Sequence, residues 1–355
     1  MKLYKKEGNV LQIISFPTEN AEKGDYLLVE DADAAKALIA QVIDVQFAAV
    51  PGVLEELLRT LPDGGEPLQG EDIDPMEIAP HITYIQDASL LICKIRATLE
   101  NEMLSPSSSW LPSRSQSTIK KLSIPMLMKL AKVDGKLPII LGGTKDSTLL
   151  TIDASSIDGT LNIITGKKGC GKSHLSNCPG EATLLEESLL KAKEAGGAIV
   201  INLKNTSNID RQIVVEYVLG KLVDSLSSWK LKAVFLFAEE AHLYLRETYW
   251  DDIVTRMRHF GIFTTFITNQ PDTIQETIYR QADNIFLFNF TNEHDLDVVS
   301  RAARVDAETV RSIARDLPPH HCLTLGKVVR DFPIVARIRA LDIKTLGETR
   351  LFFSC

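Results

Sequence analysis

A Gly-rich segment that also carries lysine and serine is the strongest chemical signal in this sequence. Residues 166–173 read GKKGCGKS and fit the phosphate-binding loop pattern G-x-x-x-x-G-K-[ST]. Glycines let such a loop turn tightly and aim its backbone N–H groups at a phosphate chain, beside the positive end of the following helix. The Lys172 ammonium is placed to reach the β- and γ-phosphates, and the Ser173 hydroxyl is suited to bind Mg²⁺. The segment therefore predicts a nucleotide-binding loop.

The predicted nucleotide contacts lie within this loop and at the residue after it. They are Gly166, Lys168, Gly169, Cys170, Gly171, Lys172, Ser173 and His174. The alternative is a chance surface loop rich in Gly and Lys. That alternative is disfavoured by the apolar run LNIIT directly before the loop and by acidic residues farther along the chain.

Two adjacent carboxylates follow a second apolar run, VFLFAEE, at Glu239 and Glu240. The run predicts a central strand, and open α/β sheets bind ligands at the carboxyl ends of their strands. Nucleotide hydrolysis needs one carboxylate near Mg²⁺ and one that polarises the attacking water. We therefore predict Glu239 as the metal ligand and Glu240 as the general base, against the alternative of two solvated charges. For the nearby His242 we predict an orienting or structural role, since no second metal ligand lies at helical spacing.

Amide and guanidinium groups supply the remaining candidates. The apolar run ending in ITNQ places Asn269 and Gln270 before Pro271, where an amide could sense the γ-phosphate or orient the water. Asn269 could instead cap a helix before the proline. Arg256 and Arg258 follow the acidic strand, and an arginine can stabilise transferred-phosphoryl charge in cis or from a neighbouring subunit. Either arginine could equally form a surface ion pair.

Segments with strand and helix patterns surround these residues. After the loop, amphipathic helical segments alternate with apolar runs such as AIVINLKN, which is interpreted as a strand. The segment WDDIVTRMRHFG is interpreted as a helix. This alternation predicts an α/β domain with a mainly parallel sheet. The short alternating strands in residues 9–48 are typical of a small barrel or sandwich. We predict a small β domain over residues 1–50, a helical and linker region over 51–148, the α/β domain over 149–345 and a tail over 346–355.

Composition limits the class of protein. The 355 residues are 45% hydrophobic and 24% charged, with a net charge of −8, so a surface coated in basic residues is disfavoured while a local basic channel remains compatible. Five scattered cysteines without a C-x-x-C pair indicate neither a zinc site nor a disulfide framework and favour a reduced, cytoplasmic setting. No signal peptide is found, and no apolar run reaches the roughly 18 residues of a membrane span.

Several motifs in fixed order resemble the HerA branch of the HerA/FtsK ATPases. They are GKKGCGKS, FAEEAH, RMRHFG, ITNQPDTI and QADNIFLFNFTNEHDL. The early VLQIISFP and GDYLLVE stretches resemble that family's N-terminal β-barrel, and DLPPHHCLTLGKVVRDFP and GETRLFF resemble its C-terminal strands and tail. The resemblance implies a RecA-like P-loop NTPase core with a small N-terminal β-barrel domain.

The resemblance also implies a function. It implies a homohexameric ring in which ATP hydrolysis with Mg²⁺ at subunit interfaces drives translocation along double-stranded DNA, in helicase fashion, through a central channel. Relatives act with a NurA-like nuclease in DNA repair, or with nuclease or sirtuin-like subunits in antiviral defence. Carried over by position, Gln270 is the sensor and Arg258 the trans-acting finger, beside the loop residues Lys172 and Ser173 and the acidic pair.

Two other functions stay open at the level of sequence. One is an ATPase ring that serves mainly as a scaffold to assemble and activate an effector, and the acidic composition favours it slightly. The other is a monomeric nucleotide-binding switch.

Overall fold

Two β-sheets organise the chain, one in each of two compact units, Met1–Ala131 and Lys132–Cys355. The computed structural model describes residues 1–31, 34–48, 87–105, 110–133, 137–167, 172, 199–203, 206–231, 233–243, 256–290 and 292–339. Within these ranges, no helix is both long and apolar enough to cross a membrane. The domain boundaries predicted at residues 50, 148 and 345 stay predictions.

The first unit is an antiparallel sheet with one short helix. Its elements are β1 (Lys2–Glu7), β2 (Val10–Ser15), β3 (Tyr26–Asp31), β4 (Lys36–Phe47), β5 (Ser89–Glu100), β6 (Met103–Ser105), β7 (Ser117–Leu122) and α1 (Ile124–Leu130). The strand order is β1-β2-β5-β4-β3-β7, and β6 pairs with β5. Alternate residues such as Leu11 and Ile13 on β2, and Leu27 and Val29 on β3, are buried in one core, as the two-residue period of a strand requires.

A closed barrel in this unit stays a prediction. The end strands β1 and β7 lie close to one another. The described part of the chain contains no hydrogen-bonded pairing between them. The helix predicted over VLEELLRTL lies outside the described residues.

The second unit carries the loop and the acidic pair. Its elements are β8 (Pro138–Gly143), β9 (Leu149–Asp153), β10 (Asn162–Thr165), α2 (Asn208–Ser227), β11 (Val234–Glu239), β12 (Ile262–Thr268), α3 (Glu276–Gln281), β13 (Asn284–Leu287), α4 (Glu293–Ala302), α5 (Ala307–Arg315), β14 (His321–Gly326) and β15 (Ile334–Ile338). The strand order is β11-β12-β10-β13-β14-β15-β8-β9. Helices and an eight-stranded sheet make this unit an α/β fold.

The sheet of the second unit is mixed, so the prediction of a mainly parallel sheet is wrong for the described strands. Strands β11, β12, β10 and β13 run parallel, whereas β13 to β14, β14 to β15, β15 to β8 and β8 to β9 pair antiparallel. The physical reason is connection length. The short links between β8 and β9 and between β14 and β15 suffice for antiparallel neighbours, whereas parallel ones need a crossover.

Three local predictions also need correction. Strand β11 lies at the edge of the described sheet rather than at its centre. Residues 199–203, in the predicted strand AIVINLKN, are irregular, because the Leu203 carbonyl accepts hydrogen bonds from Thr206 and Arg211 at the approach to α2 instead of joining a ladder. The described end of WDDIVTRMRHFG is a single 3₁₀ turn, Met257–Phe260, instead of an α-helix.

Helices α2, α4 and α5 of this unit begin where a side chain caps them. Ser207 accepts the Asp210 N–H at the start of α2, and Asp306 accepts the Thr309 N–H at the start of α5, which satisfies backbone donors that a helix leaves free. The apolar faces of α2, α4 and α5 join β10, β12 and β13 in one core around Ile163 and Phe266. The helical segment between residues 293 and 315 is divided into α4 and α5 by a break over residues 303–306.

Candidate nucleotide-binding site

The carboxyl ends of three parallel strands meet at one edge of the second sheet. Thr165, the last residue of β10, pairs with Thr268 of β12, while Glu239 of β11 pairs with Ile267. Glu240 therefore follows β11 at the level of Thr268. Because β12 lies between the two strands, the start of the loop and the acidic pair are about 10 Å apart across the sheet. A triphosphate and long side chains can span this distance.

The loop lysine points back into its own loop. The Lys172 Nζ donates hydrogen bonds to the backbone carbonyls of Gly166, at 2.6 Å, and Lys167, at 2.9 Å. Only 9% of Lys172 is exposed. The ammonium is thus held beside the backbone that would cradle phosphates, with carbonyl partners that a phosphate oxygen can replace.

The loop is also anchored to the neighbouring strand. Lys167 donates its backbone N–H to the Asn289 carbonyl at 2.9 Å, just beyond β13. The Asn289 side chain in turn donates to the Leu317 carbonyl at 2.7 Å. These bonds fix where the loop leaves the sheet.

The two acidic residues have different settings. Glu239 is exposed at the end of β11, and its neighbour Glu240 occupies the left-handed region with φ 51°. The Glu240 backbone N–H still donates to the Ile267 carbonyl at 2.8 Å. A residue other than glycine rarely adopts this conformation, and such residues cluster at functional sites. The turn sends the Glu240 side chain away from the direction that a continued strand would give it.

A chain of polar groups links Glu240 to the predicted sensor. Glu240 Oε2 lies 3.6 Å from His242 Nδ1, which lies 3.2 Å from the Thr268 hydroxyl. That hydroxyl also accepts the Gln270 N–H at 3.0 Å. Thr268 is fully buried, so its hydroxyl forms a fixed point between the base and the sensor. The His242 ring orients toward these groups, and no group of three or more metal-binding side chains occurs in the described ranges.

Two buried oxygens at this edge lack a hydrogen-bond partner among the described residues. They are the Thr165 hydroxyl at the end of β10 and the Asn269 Oδ1 after β12. Buried polar atoms are nearly always hydrogen-bonded in folded proteins. Such unpaired atoms also occur elsewhere in the described core, for example the Thr264 hydroxyl, but these two lie beside a lysine loop and two carboxylates, where a nucleotide with Mg²⁺ would supply partners. The alternative role of Asn269 as a helix cap is excluded, because the 3₁₀ helix Pro271–Thr273 receives no side-chain cap bond.

The predicted arginine finger lies at the other end of the sheet. Arg258 belongs to the turn before β12, whereas Gln270 follows the same strand. The seven residues of β12 separate those ends by roughly 20 Å. Arg258 NH2 lies 3.3 Å from Asp283 Oδ2, and Arg256 precedes it in the same turn. Arg258 is therefore not brought together with the loop of its own chain.

The described residues include only part of the predicted site. Lys172, Glu239, Glu240, Gln270 and Arg258 are described. The predicted residues outside the described ranges are Lys168, Gly169, Cys170, Gly171, Ser173 and His174.

Sequence reasoning missed three residues, of which Thr268 and Asn289 lie at this edge and Asp283 lies at the opposite end of the sheet. Thr268 was visible as the polar end of an apolar run, but only the strand register shows that it lies level with Glu240. Asn289 anchors the loop through its backbone carbonyl, and a backbone contact of this kind cannot be predicted from a sequence pattern. Asp283 is a carboxylate directly before an apolar run, and this position could have been noticed in the sequence.

No protein-family profile and no curated protein matches this sequence. Among solved structures, the genome packaging NTPase B204 from Sulfolobus turreted icosahedral virus 2 with AMPPCP is 17% identical, with a TM-score of 0.37 over 52% of this chain and 100% of that one. The pCW3 conjugation coupling protein TcpA with ATPγS is 12% identical, with a TM-score of 0.40 over 93% and 89% of the chains. ATPases 2 and 3 of Thermomonospora curvata EccC are 15% identical, with a TM-score of 0.38 over 60% and 43%.

Similarity at this level establishes neither a shared fold nor a shared activity. The α/β architecture of the second unit therefore rests on its own strand order and pairing.

Proposed function

We propose that this chain is a cytoplasmic, ATP-hydrolysing DNA translocase or helicase of the HerA/FtsK type. In this proposal it acts on double-stranded DNA as a homohexamer with a RecA-like core, coupled to a nuclease or another effector. The observation that carries it is the meeting of the lysine loop, the Glu239–Glu240 pair and two orphaned buried oxygens at one sheet edge. The ordered set of motifs supports the family.

The proposed chemistry assigns one task to each side chain. Lys172 exchanges its carbonyl partners for phosphate oxygens, and Glu240 accepts a proton from the water that attacks the terminal phosphoryl group. Gln270 orients that water. Ser173 and Glu239 would hold Mg²⁺, which supplies neutralising charge to the phosphate oxygens when bound. Hydrolysis consumes one water and releases ADP and inorganic phosphate.

The position of Arg258 supports a ring. A guanidinium about one strand length from its own loop cannot stabilise phosphate there. A head-to-tail arrangement of copies, which closes into a ring when the rotation permits, would set this end of one chain against the loop end of the next. Arg258 would then act on a neighbour's nucleotide.

A second function is favoured by the net charge of −8. An acidic chain binds a polyanion less readily unless its basic residues are concentrated locally. In this second proposal the ATPase ring is a scaffold that assembles and activates a nuclease or NAD-consuming effector.

ATP turnover with and without duplex DNA separates the two proposals. A motor is expected to hydrolyse ATP several-fold faster with DNA, to bind duplexes in a salt-sensitive way and to reach ring size by light scattering with ATP. A scaffold is expected to form the ring, and its rate of ATP hydrolysis is expected to be the same with and without DNA. A protein that stays monomeric under every condition would contradict both ring proposals.

A further inference from the structure

Three cationic side chains converge on one buried carboxylate at the amino end of the second sheet. Asp283, 4% exposed, lies directly before β13. Its Oδ1 is 2.7 Å from Lys327 Nζ and 3.6 Å from Arg304 NH2, and its Oδ2 is 3.3 Å from Arg258 NH2. Oδ2 also accepts the Leu161 backbone N–H at 3.0 Å.

The charges of this cluster do not balance. In the described ranges, Asp283 is the only carboxylate within ion-pair distance of Arg258, Arg304 or Lys327. One negative charge therefore faces three positive ones, on a chain whose net charge is −8. The three cationic side chains are 42%, 48% and 47% exposed, so their charged ends reach solvent while the carboxylate behind them does not.

The three cations of the cluster lie in short segments next to the strands and helices of the second unit. Lys327 follows Gly326, whose φ of 104° and close approach to the Asp283 carbonyl leave no room for a side chain. The Lys327 N–H donates to that same carbonyl at 3.2 Å. Arg304 follows α4, and Arg258 lies in the turn before β12, so three separate elements present their cations to one place.

We propose that Arg258, Arg304 and Lys327 form a binding site for a phosphate oxyanion that comes from outside the chain. Two uncompensated, solvent-facing positive charges attract such an anion, and guanidinium groups suit its geometry. The chain's own loop is at the opposite end of the sheet, so its nucleotide cannot supply the phosphate. Asp283 is a positioning residue that gathers the three cations and neutralises one of their charges.

The phosphate has two possible sources with the same chemistry. One is the phosphodiester backbone of duplex DNA, and the other is the terminal phosphate of a nucleotide held by a second copy of this chain. The second source rests on the proposed function. With either source, the phosphate site includes Arg304 and Lys327 in addition to Arg258.

A double variant tests the site. In Arg304→Gln/Lys327→Gln, Arg258 and the Leu161 N–H still hold Oδ2 of Asp283, and the new glutamine amides can donate to Oδ1, so the fold is expected to survive. The matched control is Arg280→Gln/Arg315→Gln, which removes two exposed cations that are each already paired, with Glu276 and Glu293. Circular dichroism and thermal unfolding establish that both variants fold.

The DNA arm uses anisotropy of a labelled 30-base-pair duplex across a salt series. If DNA is the source, the double variant loses about tenfold in affinity and its salt slope falls by about 1.8, since each phosphate contact contributes about 0.9. The control keeps the wild-type slope.

The nucleotide arm mixes two inactive proteins. A Lys172→Ala chain has an intact cluster, and the Arg304→Gln/Lys327→Gln chain has an intact loop. If the cluster serves a neighbour's nucleotide, the double variant alone hydrolyses ATP at least tenfold more slowly than wild type, and mixing restores turnover. A double variant that matches the control in both arms would overturn the site. A wild type without ATP turnover would refute the proposed function, and the DNA arm would then decide the site alone.

Discussion

At the scale of single residues, the setting of Glu240 depends on a hydroxyl that the sequence did not single out. Thr268 accepts the Gln270 N–H and contacts His242, which lies beside the Glu240 carboxylate. The lysine loop and the acidic pair were predictable, because each is a local pattern that follows an apolar strand. The role of Thr268 was not, since it depends on the register between β11 and β12.

Replacing Thr268 by valine tests this link. The substitution removes the hydroxyl but keeps the shape of the side chain, so Glu240 and Gln270 lose their common support. We expect kcat for ATP hydrolysis to fall about tenfold, or about 1.4 kcal/mol, with unchanged nucleotide affinity. Thr264→Val is the control, because Thr264 is also buried on β12 and its hydroxyl has no partner among the described residues. Equal kcat values for the two variants would contradict the link.

At the scale of elements, the strand order carried information that periodicity could not. Apolar runs make the strands over residues 262–268, 284–287, 321–326 and 334–338 predictable, and an amphipathic pattern does the same for the helix over residues 208–227. The pairing of the strands is not predictable in this way, because it joins residues far apart in sequence. The apolar run at 199–203 shows the limit, since hydrophobicity alone does not tell whether a segment pairs with a neighbouring strand.

At the start of β13, the backbone of Asp283 lies in close contact with the backbone of Gly326 at the end of β14. A Cβ added at Gly326 would lie 2.1 Å from the Asp283 carbonyl, and its φ is 104°. We expect Gly326→Ala to lower the free energy of unfolding by about 3 kcal/mol. Gly220 lies inside α2 with nothing within 4 Å of its added Cβ, so Gly220→Ala should raise stability by about 1 kcal/mol. Urea denaturation of both variants measures this, and equal effects would refute the close approach.

The carboxyl group of Asp283 makes this element sensitive to acid. Burial alone would raise the pKa of Asp283, but hydrogen bonds from Lys327 and the Leu161 N–H, together with the charge of Arg258, outweigh burial and hold the pKa below its usual range. A carboxyl whose folded pKa is depressed stabilises the protein above its unfolded pKa of about 3.9, and this contribution is lost as the pH falls through the folded value.

The acid dependence can be measured with Asp283→Asn. We expect the variant to be about 2 kcal/mol less stable than wild type at pH 7, because it loses charged hydrogen bonds. The difference should shrink as the pH falls below about 4, because the carboxyl of the unfolded chain takes up its proton there and the folded carboxyl follows at its lower pKa. Denaturant titrations at pH 7, 4 and 3 test this. A gap that stays constant over that range would show that the charge of Asp283 does not stabilise the fold.

At the scale of the whole molecule, the two ends of the second sheet have complementary chemistry. One end carries the lysine loop, two carboxylates and orphaned oxygens, and the other carries three cations around one buried carboxylate. In the proposed head-to-tail ring, the cations at one end of a chain would face the nucleotide phosphates held by the loop of the next chain. The motif order pointed to such an assembly, while the placement of Arg304 and Lys327 required the fold.

The central claim is that Lys172 and Glu240 belong to one ATP-hydrolysing site, and paired binding and turnover measurements on their variants test it most directly. Lys172→Ala should lose both ATP binding and turnover, because it removes the ammonium that is held against the loop backbone. Glu240→Gln should bind ATP with wild-type affinity and hydrolyse it at least a hundredfold more slowly. A Glu240→Gln protein that hydrolyses ATP at the wild-type rate would contradict the account.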